Sequence, residues 1–463
     1  MNSREKKFKI DSKAVSFDLQ KRKTINHNIG KYLTAVDIGK HYFSDLDKAR
    51  DTAAAIKDYV INNLDQLLLN FEKNARKNNM DVLWAKDADE VIKQVLAIAN
   101  RHDAKLVVKT KSMVSEEIEL NEALEKNKIR SLETDLGEFI VQTAGEKPFH
   151  ILTPAMHKSK EDVAELFHDK FGTKENASPE EITRYVRKYL REQFVSADMG
   201  ITGANFLLAD SGSIALTENE GNGLLTMSWP KTMVVIAGFE KILPSVSDLD
   251  LFWPLVSVMG TGQNMTAYNS IISGPKSEDE SDGPEQVYVI LFDGGRSRLF
   301  DEEDHNVALK CIRCGACLNY CPIYLNIGGY TYDTIYTGPI GSVISMYLDD
   351  SQDAGHLNFA SSLCGKCTEV CPVNIPLHKL LLLNRKKLVE EGNTGFVEKT
   401  GMKYYQKYML KRSKLERIGS GWKNWGMKNF GKKAWGPRRS PLEFPNESFA
   451  KRWMKKDKGK SNS

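Results

Sequence analysis

The residues with the clearest chemistry are seven cysteines, all of them between Cys311 and Cys371 of a 463-residue chain. Cys311, Cys314, Cys317 and Cys321 follow the pattern C-x2-C-x2-C-x3-C, with Pro322 next. Cys364, Cys367 and Cys371 follow C-x2-C-x3-C, with Pro372 next. Three thiolates two residues apart can wrap three corners of an iron–sulfur cubane, while a cysteine before proline heads a segment that leaves the loop and reaches a second cluster. Reciprocal exchange then predicts one cluster on Cys311, Cys314, Cys317 and Cys371 and another on Cys321, Cys364 and Cys367. Structural zinc uses paired C-x2-C units with four ligands per ion, and seven cysteines with two Cys-Pro endings do not divide that way. An odd cysteine count also argues against a disulfide framework. The chemistry expected is one-electron relay.

The second cluster lacks one cysteine. A complete motif would carry it three residues before Cys364, where the chain has Ser361. The first cluster is expected to be [4Fe–4S]. The second is expected to be [4Fe–4S], its fourth iron bound by a serine oxygen, water or a substrate group, with [3Fe–4S] as the alternative. The plainer role for Ser361 is a helix N-cap.

Positioning these loops requires a scaffold. The 42 residues between Cys321 and Cys364 include two Gly-rich turns and the apolar segment Val343 to Leu348. With the apolar stretch Leu377 to Leu383, they predict a helical ferredoxin-type module. Upstream, apolar residues at three- and four-residue spacing predict one long helix over 44–78. Strands are expected at 82–84, 106–109, 129–133, 233–237 and 287–292. Helices are expected at 87–101, with Asp87 as cap, and at 115–127. This alternation predicts an α/β domain with a mostly parallel sheet. Residues 1–40 are expected to be partly ordered. The organisation expected is an N-terminal helical segment at 1–69, an α/β domain at 70–300, an iron–sulfur domain at 301–395 and a basic tail at 396–463.

Charge is unevenly spread. The net charge is +4, yet residues 401–463 hold 18 Lys or Arg against 4 Asp or Glu. Trp422, Trp425, Trp435 and Trp453 lie in the same stretch. A basic, aromatic arm suits an acidic partner or an anionic membrane surface. No nucleic-acid module accompanies it, so nucleic acid is not expected as a partner. No apolar run is long enough to span a bilayer and the N-terminus is charged, so a cytoplasmic protein is expected, with peripheral membrane contact through the tail. Neither a phosphate-binding G-x-x-x-x-G-K-[ST] loop nor a dinucleotide-binding glycine motif is found.

Several segments taken together resemble the lactate-utilisation protein B family: KSMVSEEIELN (111–121), ETDLGEFI (133–140), HILTPAMHK (150–158), GITGANFLLADSGSIALTENEGN (200–222) and CIRCGACLNYCP (311–322). The resemblance runs from about residue 30 to the tail. It implies a lactate-utilisation (LUD) domain with a fold related to CoA transferases and sugar isomerases. It further implies an electron-transfer subunit in a complex that oxidises L-lactate to pyruvate and passes electrons toward a membrane or quinone acceptor. The implied partners are a cysteine-rich redox subunit and a second LUD-domain protein. The alternative is a LUD-domain enzyme that binds lactate itself, at or near a labile cluster iron.

Beyond the cysteines, Glu218 and Glu220 are candidate catalytic residues, because CoA transferases of the related fold use a glutamate beside a glycine turn as nucleophile. The alternative is a solvated turn. His157, with His150, is a candidate for proton handling, since histidine titrates near neutrality; satisfied loop histidines are the alternative. Arg296 and Arg298 suit a carboxylate or phosphate, against the simpler expectation of surface basic residues. Arg313 and Lys366 lie inside the cysteine loops, where they would tune a cluster, dock a partner or stay solvated.

Overall fold

The computed structural model describes residues 3–348, 353–392, 396–431, 436, 439–440 and 442–460. Its strands are β1 (Met80–Ala85), β2 (Leu106–Lys109), β3 (Arg130–Glu133), β4 (Met199–Thr202), β5 (Phe206–Leu208), β6 (Ser213–Glu218), β7 (Thr232–Gly238), β8 (Ile242–Leu243), β9 (Tyr268–Ile272) and β10 (Gln286–Phe292). Every residue of β7 is buried. Such unbroken apolar strands belong in a parallel sheet covered on both faces. Six strands form that sheet in the order β1-β10-β7-β4-β2-β3, all parallel, with Val289 opposite Val235 and Val82.

One face of the sheet packs Val235, Val289 and Leu291 against Leu67, Leu68 and Phe71 of the helix Leu64–Lys77. The other packs Ile201, Val234 and Ile290 against Val91, Val95 and Ile98 of the helix Ala88–Arg101. That helix starts where the sequence predicts, with the Asp87 carboxylate accepting from Glu90 N at 2.9 Å. The glycine-rich segment after β4 forms a second, mixed sheet in the order β8-β5-β6-β9. In the parallel sheet, Gly200 of β4 lets the helix Asn222–Ser228 pack closely, since a Cβ would lie 2.2 Å from the Thr226 carbonyl oxygen.

Three local expectations change. The single helix over 44–78 is two, Leu46–Asn62 and Leu64–Lys77. Asn63 leaves helical geometry at φ −131°, and its side chain donates to Tyr59 O at 2.8 Å. This is how asparagine competes with the helical backbone. The helix over 115–127 is likewise broken, into Met113–Glu117 and Leu120–Lys126, by Glu119 at φ 51°. Within the expected partly ordered stretch, residues 3–39 form the helices Ser3–Phe17 and Leu19–Gly39, the second of which buries Ile25, Ile29 and Val36. Ile25 and Ile29 share a core with Phe252, Met259, Tyr324 and the buried cysteines, so these N-terminal helices help hold the cysteine loops.

Met1–Lys387 is one compact unit and Leu388–Ser463 another. The second contains the helices Phe396–Met409, Arg412–Leu415, Ser420–Gly426 and Phe449–Lys460. Trp422, Trp425 and Trp453 are exposed, and Trp435 lies outside the described residues. Among the described residues, no helix is long and apolar enough to cross a membrane.

Candidate iron–sulfur site

Two loops of matching geometry carry the cysteines. In the first, Arg313 at φ 59° and Gly315 at φ 75° flank Cys314, and the short helix Ala316–Asn319 follows. In the second, Leu363 at φ 54° and Gly365 at φ 81° flank Cys364, and the short helix Lys366–Glu369 follows. These left-handed residues turn the chain tightly enough for consecutive sulfurs to face one centre.

The structure brings the thiols together in two groups. Cys311, Cys314, Cys317 and Cys371 lie within one another's electrostatic reach, as do Cys321, Cys364 and Cys367. Burial is the main influence on the five buried thiols. It pushes Cys314, Cys317 and Cys321 up, and Cys367 and Cys371 up to about 11.

Backbone N–H groups work the other way, toward thiolate. Cys314 receives Ala316 N, Cys317 receives Ile340 N, Cys321 receives Tyr324 and Ile323 N, and Cys371 receives Ile375 and Val373 N. Arg313 N donates to Cys311 Sγ at 3.4 Å. Arg313 also has buried Nε and Nη1 atoms without a protein partner. Five of the thiols are buried, Cys311 is half-buried and Cys364 is exposed. Buried thiols lined by amides, with an unpartnered guanidinium edge beside the first group, fit an anionic thiolate-bound iron–sulfur group.

Arg313 is not a solvated charge. Its side chain is 10% exposed, its guanidinium lies 4.3 Å from the Tyr336 ring centre, and Nη2 donates to Glu240 at 3.3 Å. Lys366 is partly exposed, pairs with Glu369 and lies over the Tyr320 ring. Ser361 is not an N-cap: the following helix is capped at Gly365, and Ser361 Oγ instead accepts from Leu363 N at 3.1 Å.

Arg296 overturns the expectation of a surface residue. It is fully buried, donating through Nε to Glu240 at 2.6 Å and bidentately to Glu117 at 3.0 Å. Tyr336 OH donates to the same Glu117 at 2.7 Å. Burial alone would raise Glu240, but Arg296 and then Arg313 hold its carboxyl down at about 2. Lys57, whose Nζ donates to Glu240 O at 2.7 Å, is pushed down to about 7 by burial. Arg298 is exposed.

Sequence reasoning missed Glu117, Glu240, Lys57 and Tyr336. A signal was present in part: Glu240 and Arg296 each stand just past a glycine that closes or follows a central strand, Gly238 and Gly295. Ligand-binding groups in open α/β sheets gather at that carboxyl edge. A cavity of about 780 Å³ opens at the same edge, lined by Asp87, Glu116, Glu117, Gly294, Tyr330 and Tyr336.

The remaining candidates lie apart from the cysteines or serve as supports. Glu218 accepts from Gly223 N at 2.6 Å and Leu224 N at 2.8 Å, so its carboxylate caps the helix Asn222–Ser228. Glu220 is exposed and accepts from Leu136 N at 3.0 Å. His157 Nε2 pairs with Glu146 at 2.7 Å and stacks on Phe149. His150 is buried, with Nε2 3.2 Å from Asn319 Oδ1 and Nδ1 accepting from Leu152 N at 3.1 Å. Burial pushes His150 down to about 4, which keeps it neutral and ties the loop after it to the first cysteine helix.

A parallel α/β domain joined to paired cysteine loops defines a LUD-type iron–sulfur protein. The LUD domain model matches residues 68–292, and the 4Fe-4S dicluster domain model matches residues 307–375. A lactate utilization protein B from Bacillus cytotoxicus is 42% identical over 372 residues, 80% of this chain and 78% of its own. One from Bacillus cereus is 43% identical over 357 residues, 77% of this chain and 75% of its own. The chain belongs to the lactate utilization protein B family and is a lactate-utilisation iron–sulfur protein. A solved DUF162-family protein from Deinococcus radiodurans aligns over 50% of this chain and 98% of its own, at 11% identity and a TM-score of 0.29.

Proposed function

We propose that this chain is the iron–sulfur electron-transfer subunit of an L-lactate oxidation complex, delivering electrons toward a membrane or quinone acceptor. Cys311, Cys314, Cys317 and Cys371 would hold a [4Fe–4S] cluster, and Cys321, Cys364 and Cys367 a second. Bound, these clusters supply one-electron relay. The chain's own part is to bury five of the seven thiolates, line those with amides and keep cationic Arg313 beside the first group. The proposed partners are a cysteine-rich redox subunit and a second LUD-domain protein, with the basic tail as a docking arm. The observation that supports this reading is the division of seven thiols into groups of four and three inside a lactate utilization protein B chain.

The test is lactate-dependent reduction of a quinone analogue by the anaerobically assembled complex. Cys311→Ser is expected to abolish that reduction while the chain still joins its partners. Unchanged turnover in the Ser variant would overturn the relay. Lactate oxidation by the purified chain alone, with an artificial acceptor, would overturn the subunit assignment in favour of direct substrate binding.

A further inference from the structure

We infer that Ser361 Oγ is the fourth protein ligand of the second cluster, so that both clusters are held by four side chains. The inference rests on the iron–sulfur reading above and goes further by assigning the corner that the cysteine pattern leaves open.

From Gly315 and Gly365 to the last cysteine of each loop, the backbone hydrogen bonds of the two loops match. Leu318 N donates to Gly315 O at 3.0 Å, and Thr368 N to Gly365 O at 3.0 Å. Tyr320 N donates to Ala316 O at 3.3 Å, and Val370 N to Lys366 O at 3.1 Å. Cys321 N donates to Leu318 O at 3.1 Å, and Cys371 N to Thr368 O at 3.2 Å. The left-handed pair Arg313 and Gly315 is matched by Leu363 and Gly365. This correspondence pairs Cys314 with Cys364, Cys317 with Cys367, Cys321 with Cys371 and Cys311 with Ser361.

The side chains at the last pair behave alike. Arg313 N donates to Cys311 Sγ at 3.4 Å, and Leu363 N donates to Ser361 Oγ at 3.1 Å. The serine oxygen thus takes the same backbone hydrogen bond as its cysteine counterpart, and that bond orients its remaining lone pairs. Ser361 is also held from behind. Its carbonyl accepts from Arg385 Nη2 at 3.3 Å, and Arg385 Nε donates to Asn358 O at 2.8 Å. Four ligands per cluster follow from the exchange: the first loop lends Cys321 to the second cluster, and the second loop lends Cys371 to the first.

Coordination breaks the Ser361 O–H bond heterolytically and forms one Fe–O bond. The proton passes to solvent, and no electron moves. A bound cation stabilises the deprotonated form of its ligand, as with metal-bound water and thiols. An alkoxide is a harder donor than a thiolate and favours the ferric state. The second cluster is therefore poised at a lower potential than an all-cysteine version.

The test uses the full-length chain, reconstituted anaerobically, as wild type and as S361A, S361C and S362A. Iron, Mössbauer and EPR spectra and the reduction potential are read for each. Wild type and S362A are expected to hold about eight irons per chain in two four-iron clusters. S361A is expected to fall to about seven irons, with a three-iron signal in the oxidised state, and S361C to keep all four irons at a raised potential. Retention of iron, spectra and potential in S361A would overturn the serine ligand and leave that corner to water. A three-iron signal in oxidised wild type would overturn it too. Both results leave the relay intact, whereas failure of wild type to bind iron at all would overturn both readings.

Discussion

Arg296→Met tests the buried ion cluster beneath the first cysteine loop. Every guanidinium nitrogen of Arg296 is used: Nε on Glu240, Nη1 and Nη2 on Glu117, and Nη1 also on Asp293 O. Methionine fills much of the volume but leaves Glu117 and Glu240 facing each other out of water. Removing one partner of a buried pair costs about 3–5 kcal/mol. The lowered Glu240 carboxyl implies a similar size. The Glu240 carboxyl is held at about 2 against an ordinary 4.5, so its ionised form contributes about 3 kcal/mol. A depressed carboxyl stabilises the fold above its unfolded value and loses that contribution as pH falls through about 2. The deficit of Arg296→Met is therefore fully expressed at pH 7. The assay is anaerobic guanidinium unfolding of wild type, R296M, E240Q and the double variant. The expected loss for R296M is about 3–5 kcal/mol, and the double variant should recover at least about 1 kcal/mol of it. A loss under about 1 kcal/mol, or strict additivity of the two single variants, would refute the claim that Arg296 compensates buried charge.

Arg313→Gln should lower the potential of the first cluster by on the order of 50 mV, because it removes one partly desolvated positive charge; a potentiometric EPR titration showing no shift would sink this. Because His150 is pushed from 6.5 down to about 4 in the fold, the unfolded chain binds the extra proton first. Stability should therefore fall by about 3 kcal/mol as pH drops from 6.5 toward 4, and His150→Gln should remove that part of the slope in unfolding titrations across the same window. Gly200→Ala should destabilise by about 1–3 kcal/mol, because the new methyl meets the Thr226 carbonyl at 2.2 Å; unchanged unfolding would show that the helix Asn222–Ser228 simply shifts away.

Where chemistry depends on neighbours a few residues apart, it was legible early. The cysteine spacing pointed to two groups, and the apolar runs of β7 and β10 pointed to a buried parallel sheet. Helix continuity was not legible at Asn63 and Glu119, because one residue that leaves helical geometry does not disturb the apolar period around it. Glu218 shows the same limit. A glutamate beside a glycine turn reads as a nucleophile or as a solvated turn, and only the fold shows it capping a helix.

The sequence by itself determined the cofactor class and five of the six strands of the parallel sheet, because each follows from spacing within one loop or from the apolar run of one element, whereas β4, in the glycine-rich segment, was found only in the structure. Only the tertiary structure decided that Arg296, Glu240, Glu117 and Arg313 form one buried cluster, since those residues come from segments up to 196 positions apart and are joined by sheet closure and packing. It also decided that the N-terminal helices share a core with the cysteine loops, and that Ser361 presents its oxygen to the amide equivalent to the one that binds Cys311. A charged side chain carries no mark of burial in its local sequence. Its fate is set by which other charges the fold brings within hydrogen-bond reach, and by whether they compensate for the lost water.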